Sequence, residues 1–468
     1  MRYFLLFVLL ALAACDNSPQ LVVNGELLTG KRVDDGAVFL GIPFAEPPVG
    51  ALRWRAPQPL RTRLAERGAT AFAPACMQTM RILDWYRSMA ETFGASGDYY
   101  DDLEVSEDCL YLNLWTPTFN TDAQLPVMVW VHGGSNKSGW SYEPNYRGDV
   151  LAPQGVVVVT VAYRLGAFGF LSHPDLAGES AVANFGLLDI LAALQWVQDN
   201  IQKFGGDPDR ITVFGESSGA ENVLALMFAE QAQGLMHRGI LQSTAGYGLS
   251  MPSLDDEMHR GEGLGELLEA GSITELRSVP ADEVLRVYTE NFEHHYHSPA
   301  IDGQLIVEST WDSIRAGRNA DLAMIIGANA DEYRDRNATA KHYVCPSQMV
   351  AATRNSAGAD AWMYYFTRVR QDGGGAEVGA YHGAEYPYIF GTHDSYMATT
   401  EHDDRLSALM QSYWINFART GNPNDEGLPE WPLLHAPGAG LLEFGDEVRA
   451  IPGVDVELCD TFQGRYLQ

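Results

Sequence analysis

The feature that most constrains this chain is a five-residue turn, Gly215-Glu216-Ser217-Ser218-Gly219. The stretch before it, Arg210 to Phe214, is short, apolar and β-branched, and reads as a buried strand. Glu221 to Phe228 after it reads as a helix. A strand, a tight turn and a helix put the middle serine, Ser217, on a sharp elbow above a sheet edge. Backbone N–H groups at the helix start can then receive developing negative charge. Glycine is required at 215 and 219 because a Cβ would clash where strand and helix nearly touch. The chain holds 46 glycines among 468 residues, so G-x-S-x-G also arises by chance. A base, an acid and further backbone donors must exist elsewhere for the elbow to carry chemistry.

The surrounding segments supply the sheet. Pro126 to Val131 and the valine-rich run Gly155 to Ala162 read as buried parallel strands. Gly186 to Phe204 has helical spacing and stops at Gly205-Gly206. Further strands are expected at Gly239–Ser243, Ala323–Gly327 and Trp362–Phe366. Strand alternating with helix predicts a doubly wound α/β sheet, mostly parallel and covered on both faces. Three prolines make Gly41 to Gly50 a fixed loop. Residues 78–105 read as irregular, acidic and aromatic, and residues 252–298 as an acidic helical insertion.

A serine hydroxyl needs a base to become a nucleophile. Among 12 histidines, His382 lies in a glycine-flanked loop that can present an imidazole. His132 borders a glycine pair and is expected to shape that turn. His294, His295 and His297 read as a solvated loop rather than a metal site. An acid must orient the imidazole, and Asp331 and Glu332, just after a buried strand, are both candidates. His132-Gly133-Gly134-Ser135 follows another buried strand and offers backbone donors. The expected oxyanion donors are the N–H groups of Gly134, Ser135 and Ser218. A P-loop is excluded, since Lys137 lacks the required glycine register.

The net charge is −30. That excludes a basic nucleic-acid face and disfavours anionic substrates and anionic membrane surfaces, leaving neutral or cationic substrates favoured. Met1-Arg2 followed by an apolar run to Ala14 reads as an export signal, too short to span a membrane. Leu12-Ala13-Ala14-Cys15 resembles the lipobox of bacterial lipoproteins. That resemblance implies a signal over 1–14, lipidation of Cys15, a tether over 15–20, and anchoring on the periplasmic side of the cell envelope. Asp16 there implies inner-membrane retention. Residues 21–468 are expected to form one domain with insertions near 76–109 and 252–298. The other cysteines, Cys76, Cys109, Cys345 and Cys459, are even in number. In an exported chain they imply disulfides, in any of three pairings. None has C-x-x-C spacing, so no zinc site is expected.

The order glycine-rich loop, serine, acid, histidine is that of the α/β-hydrolases. In detail the chain resembles the type-B carboxylesterase family, which includes the cholinesterases. The resemblance rests on Gly41 to Trp54, Ser106 to Pro117, Val131 to Gly139, Tyr163 to Leu171 and Asn184 to Gly219. It continues through Ala300-Ile301-Asp302-Gly303, Gly327 to Glu332, His382 to Glu385 and Tyr413 to Asn424. It implies an ester hydrolase with Ser217 as nucleophile, Glu332 rather than Asp331 as acid, and His382 as base. It also implies an acyl-enzyme intermediate, a small-molecule ester substrate, and no metal or organic cofactor. Cys76 would pair with Cys109, and Cys345 with Cys459. Thioester, amide or lactone hydrolysis, or a non-catalytic binding role, are the alternatives on this fold. Departures are Ser135 for a family glycine, Tyr333 after the acid, and a short interval between Glu332 and His382. The short interval implies a reduced cap and a more open cavity. Trp85 does not match the context of the choline-stacking tryptophan.

Overall fold

In a computed structural model, residues 18–466 are described except 35, 62–65, 245, 247, 372, 393–398 and 436–439. The signal segment and Cys15 lie outside the described residues. An eleven-stranded sheet runs through these residues. Its strands are β1 (Lys31–Val33), β2 (Gly36–Pro43), β3 (Tyr111–Thr116), β4 (Leu125–Val131), β5 (Val157–Val161) and β6 (Gly206–Glu216). The rest are β7 (Arg238–Gln242), β8 (Ala323–Asn329), β9 (Ala361–Phe366), β10 (Leu441–Phe444) and β11 (Val448–Ile451). The spatial order is β11-β10-β9-β8-β7-β6-β4-β5-β3-β2-β1. From β5 through β10 neighbours are parallel, and antiparallel pairs close both ends.

The strands are apolar on both faces because helices cover both. Along β4, Val127, Val129 and Val131 join one core while Met128 and Trp130 join the other. The first core takes α2 (Phe185–Asn200) through Leu187, Ile190 and Leu194, and α3 (Ser218–Leu226) through Val223 and Leu224. The second takes the long C-terminal helix Glu401–Thr420 through Met410, Trp414 and Phe417. Each such side chain, removed from water, contributes about 1.5–3 kcal/mol. That burial holds the sheet edge stiff beneath the elbow.

The two expected insertions frame that edge. Residues 78–105 are not irregular: Arg81–Thr92 is a helix, α1. Leu83, Tyr86, Met89 and Ala90 are its buried face, packed with Phe93, Tyr100 and Trp140 in a satellite core. Interleaved arginine, aspartate and aromatic residues hid this periodicity in the sequence. Residues 252–298 carry the helices Leu254–Leu267 and Ala281–Phe292, which pack on Trp54 and Phe168. Arg53 joins the two insertions, holding Glu107 by Nη2 at 2.8 Å and the Val279 carbonyl by Nη1 at 2.7 Å. Cys76–Cys109 and Cys345–Cys459 are both disulfide-bonded. The second ties the C-terminal helix Val456–Tyr466 to the helix Cys345–Ser356. Among the described residues, no helix is long and apolar enough to cross a membrane.

Candidate active site

Ser217 sits between β6 and α3 at φ 54° and ψ −130°, a backbone region few side chains adopt. Its N–H donates to the Gln242 carbonyl on β7 at 2.8 Å, which pins the turn to the neighbouring strand. The flanking glycines are enforced sterically. A Cβ on Gly215 would lie 2.6 Å from the Val131 carbonyl oxygen and 2.9 Å from Gly219 C. One on Gly219 would lie 2.2 Å from that same Val131 oxygen. The close approach therefore involves the end of β4 as well as the elbow's own helix.

The end of β4 continues into the glycine loop. Gly133 packs on the elbow, where a Cβ would meet a Glu216 carboxylate oxygen at 2.6 Å. Gly134, Ser135 and Asn136 all have positive φ, at 110°, 61° and 53°. This left-handed run turns the loop back over Ser217. Ser135 lacks the glycine's freedom there, and its side chain lines the cavity with Gly133, Gly134 and Ser217. Asn136 is the residue that sequence reasoning missed. It is fully buried, and its N–H donates to Ser218 Oγ at 2.9 Å. Its amide exchanges hydrogen bonds with Asn222 and donates to the His297 carbonyl at 2.9 Å, while its Oδ1 accepts from Tyr163. A polar side chain directly after a glycine loop was its only signal in the sequence.

His382 arrives on a loop after β9. Glu332 Oε2 contacts its Nδ1, and Glu332 Oε1 accepts the Asn329 N–H at 2.7 Å. Asp331 points elsewhere. Its carboxylate accepts the Ala380 N–H at 2.8 Å, and its own N–H donates to the Ala380 carbonyl at 3.0 Å. Asp331 thus clamps the loop that holds the imidazole. Glu216 lies 2.9 Å from His382 Nε2, although its Oε1 lacks the alignment of a hydrogen bond. Burial alone pushes the imidazole pKa down, but the charges of Glu216 and Glu332 outweigh it and hold it well above the ordinary value. Glu385, bonded to Gln242 and Asn329, is pushed up to about 7 by burial and then by the Glu216 charge.

The remaining histidines separate on burial. His132 is buried, contacts the Gly133 carbonyl by Nδ1 at 2.9 Å, and is pushed down to about 4 by desolvation. It stays neutral and shapes the turn. The solvated-loop reading of 294–297 fails for His297, which is 1% exposed and meets the Tyr288 hydroxyl at 3.1 Å. Among the described residues no group of acids, cysteines and histidines has the arrangement of a metal site.

Ser217 and His382 face one cavity of about 220 Å³, with Gly134 and Ser135 on its wall. Its other walls include Arg81, Trp85, Tyr86, Glu143, Tyr146, Tyr381 and Tyr386. Trp85 is 38% exposed at the opening and meets the Tyr381 ring edge-on at 6.2 Å. A larger groove of about 710 Å³ lies between the N-terminal hairpin, the Pro43–Pro47 loop and α2. It holds no serine, cysteine or histidine, so the smaller cavity is where chemistry can occur.

Sheet order, elbow and clustered polar groups define an α/β-hydrolase. The model of the carboxylesterase family matches residues 18–342 and 334–454. Fumonisin B1 esterase of Sphingopyxis macrogoltabida is 32% identical over 511 residues, covering 95% of this chain and 90% of that protein. Para-nitrobenzyl esterase of Bacillus subtilis is 33% identical over 465 residues, covering 87% and 91%. A solved structure of a PNB esterase superposes with a TM-score of 0.83 at 28% identity, over 95% of this chain and 99% of that one. The chain belongs to the carboxylesterase family and is a serine hydrolase of carboxylic esters.

Proposed function

We propose that Ser217, His382 and Glu332 act as a catalytic triad through an acyl-enzyme intermediate. The observation that carries this reading is the Glu332 carboxylate on His382 Nδ1, in a cavity whose wall also holds Ser217 at a strained elbow. Glu332 fixes the tautomer and leaves Nε2 for the serine proton. Nε2 must exchange its Glu216 contact for Ser217. Ser217 Oγ then attacks the ester carbonyl carbon while His382 takes the Oγ proton. The N–H groups of Gly134, Ser135 and Ser218 receive the oxyanion, each donor worth about 3 kcal/mol. The tetrahedral intermediate collapses, and His382 protonates the departing alkoxide. Water, deprotonated by the same imidazole, releases the acid and restores Ser217.

Fluorophosphonate labelling and turnover of p-nitrophenyl esters test the assignment. Ser217→Ala is expected to abolish labelling and to lower kcat by about a millionfold. Equal labelling of variant and wild type would overturn it. A parallel series of thioester, anilide and lactone substrates ranks the alternative leaving groups. We further propose that the chain is exported and anchored through a lipid on Cys15, on the strength of Leu12-Ala13-Ala14-Cys15 after an apolar run. Incorporation of a palmitate analogue by wild type and not by Cys15→Ala is the expected result.

A further inference from the structure

We propose that the cavity takes esters bearing a free carboxylate a few atoms from the scissile bond, and that Arg81, backed by Lys137, receives that carboxylate. This rests on the Ser217 reading above and adds a substrate class to it.

The argument begins with an imbalance. The chain has 61 acidic residues against 31 lysines and arginines. Its buried and half-buried arginines include several matched to acids: Arg53 with Glu107, Arg164 with Asp189, Arg277 with Glu179, Arg368 with Asp403. Two cations beside the cavity break that pattern. Arg81 opens the helix Arg81–Thr92 and lines the cavity with Ser135, Ser217 and His382. Its Nη2 donates to Ser138 Oγ at 3.1 Å and reaches the Gly134 carbonyl at 3.4 Å. Lys137 Nζ donates to the Glu293 carbonyl. Among the described residues neither makes an ion pair with a carboxylate.

Burial pushes both cations below their ordinary pKa, and Arg81 pushes Lys137 further down. The Glu293 carboxylate opposes this, but only from beyond ion-pair distance. Arg81 is nevertheless exposed and Lys137 half-buried, and neither has a carboxylate in contact, so an incoming anion can reach both cations. The guanidinium has five N–H donors in a fixed fork. With Nη2 alone engaged, the remaining donors suit bidentate capture of a carboxylate.

Placement narrows the ligand. The Gly134 carbonyl touches Arg81, and the Gly134 N–H is an expected oxyanion donor. The guanidinium thus lies about one residue from the carbonyl oxygen of a bound ester. A carboxylate in reach belongs to the same small molecule, as in the hemiester of a short dicarboxylic acid. The lining also holds Glu216 and Glu143, whose charges repel an anion, so the acidic group must land beside Arg81. The net charge of −30 slows encounter with anions in general. The local pair acts afterwards, choosing among esters that have reached the cavity.

The test compares acidic and neutral isosteres. The acyl-side pair is the mono-p-nitrophenyl ester of glutaric acid against p-nitrophenyl pentanoate. The alcohol-side pair is 3-carboxyphenyl butyrate against 3-methylphenyl butyrate. The readout is the ratio of kcat/KM, acidic over neutral, within each pair. Arg81→Gln is expected to lower that ratio about tenfold to a hundredfold in one pair. Arg81→Lys restores part of it, and Lys137→Gln lowers it less. The pair that responds assigns the carboxylate to the acyl or alcohol side. Equal losses on both members of each pair, or unchanged ratios, overturn the proposal. Should Arg81→Gln fail to fold, the wild type decides. A wild-type kcat/KM ratio above one in either pair supports the site, and ratios at or below one in both refute it. Persistence of neutral-ester turnover in Ser217→Ala would instead sink the triad, a separate result.

Discussion

Ser217 is flanked by two polar clusters made of different groups. On the glycine-loop side lie Asn136, Ser218, Asn222 and Tyr163, all buried, and joined by amide and hydroxyl hydrogen bonds of 2.8–3.3 Å. On the His382 side lie Glu216 and Glu332 against the imidazole, with Glu385 tied to Asn329 and Gln242. The first cluster satisfies its donors and acceptors with neutral partners and fixes a shape. The second brings two carboxyl groups against one imidazole, with Glu385 linked to them through Asn329, and fixes a proton affinity. Geometry and acidity of the site are thus controlled by separate residues, and can be perturbed separately.

Within the two clusters the largest expected effect is at Glu332. Glu332→Gln keeps the shape but loses the charge and the tautomer preference, so kcat should fall about ten-thousandfold. Single-turnover ester hydrolysis measures this. A loss below about tenfold would mean that Asp331 or Glu216 carries the orienting role.

Next is Asn136. Asn136→Ala leaves the Asn222 amide and the His297 carbonyl without their buried partner and loosens the glycine loop. A fall of about a hundredfold in kcat is expected, the scale of a lost oxyanion donor, with KM little changed. Because this cluster is neutral, the pH–rate profile should keep its shape. A shifted profile would break the division between the clusters.

Glu216→Gln addresses the other side. On the proposed mechanism His382 must be neutral to accept the Ser217 proton, and its pKa is raised by the Glu216 and Glu332 charges acting against burial. Activity in the wild type therefore rises with pH through that raised value. Removing the Glu216 charge lowers the imidazole pKa and moves the rising limb of kcat/KM to lower pH. Plateau rates should change by less than about tenfold. An unmoved limb would show that Glu332 alone sets the proton affinity.

The smallest effect is at Ser135. Ser135→Gly relieves a Cβ at φ 61° but frees the unfolded chain, so stability should change by no more than about 1 kcal/mol. The cavity gains room, and a p-nitrophenyl ester series of increasing acyl length should show preference moving towards bulkier chains.

Much of the site is legible in local sequence. The elbow at Gly215–Gly219, the glycine loop at 133–135 and the valine strands follow from short-range sterics and burial, which a stretch of sequence carries within itself. The helix Arg81–Thr92 was not legible, because its apolar face packs on Phe93, Tyr100 and Trp140 rather than on the main core. Choosing Glu332 over Asp331 required a family resemblance. In the fold the reason is plain: adjacent residues diverge, and only Glu332 reaches His382 while Asp331 holds the Ala380 backbone.

By itself the sequence determined an α/β sheet with a serine on an elbow, since those features depend on alternation, glycine and β-branching. Tertiary structure decided what surrounds that serine. Glu216 beside the imidazole, Asn136 on the glycine loop and Arg81 at the cavity wall come from segments up to 301 residues apart, from Arg81 to His382. Their roles depend on burial and on charges meeting across the fold, and neither quantity is a property of any one stretch of chain.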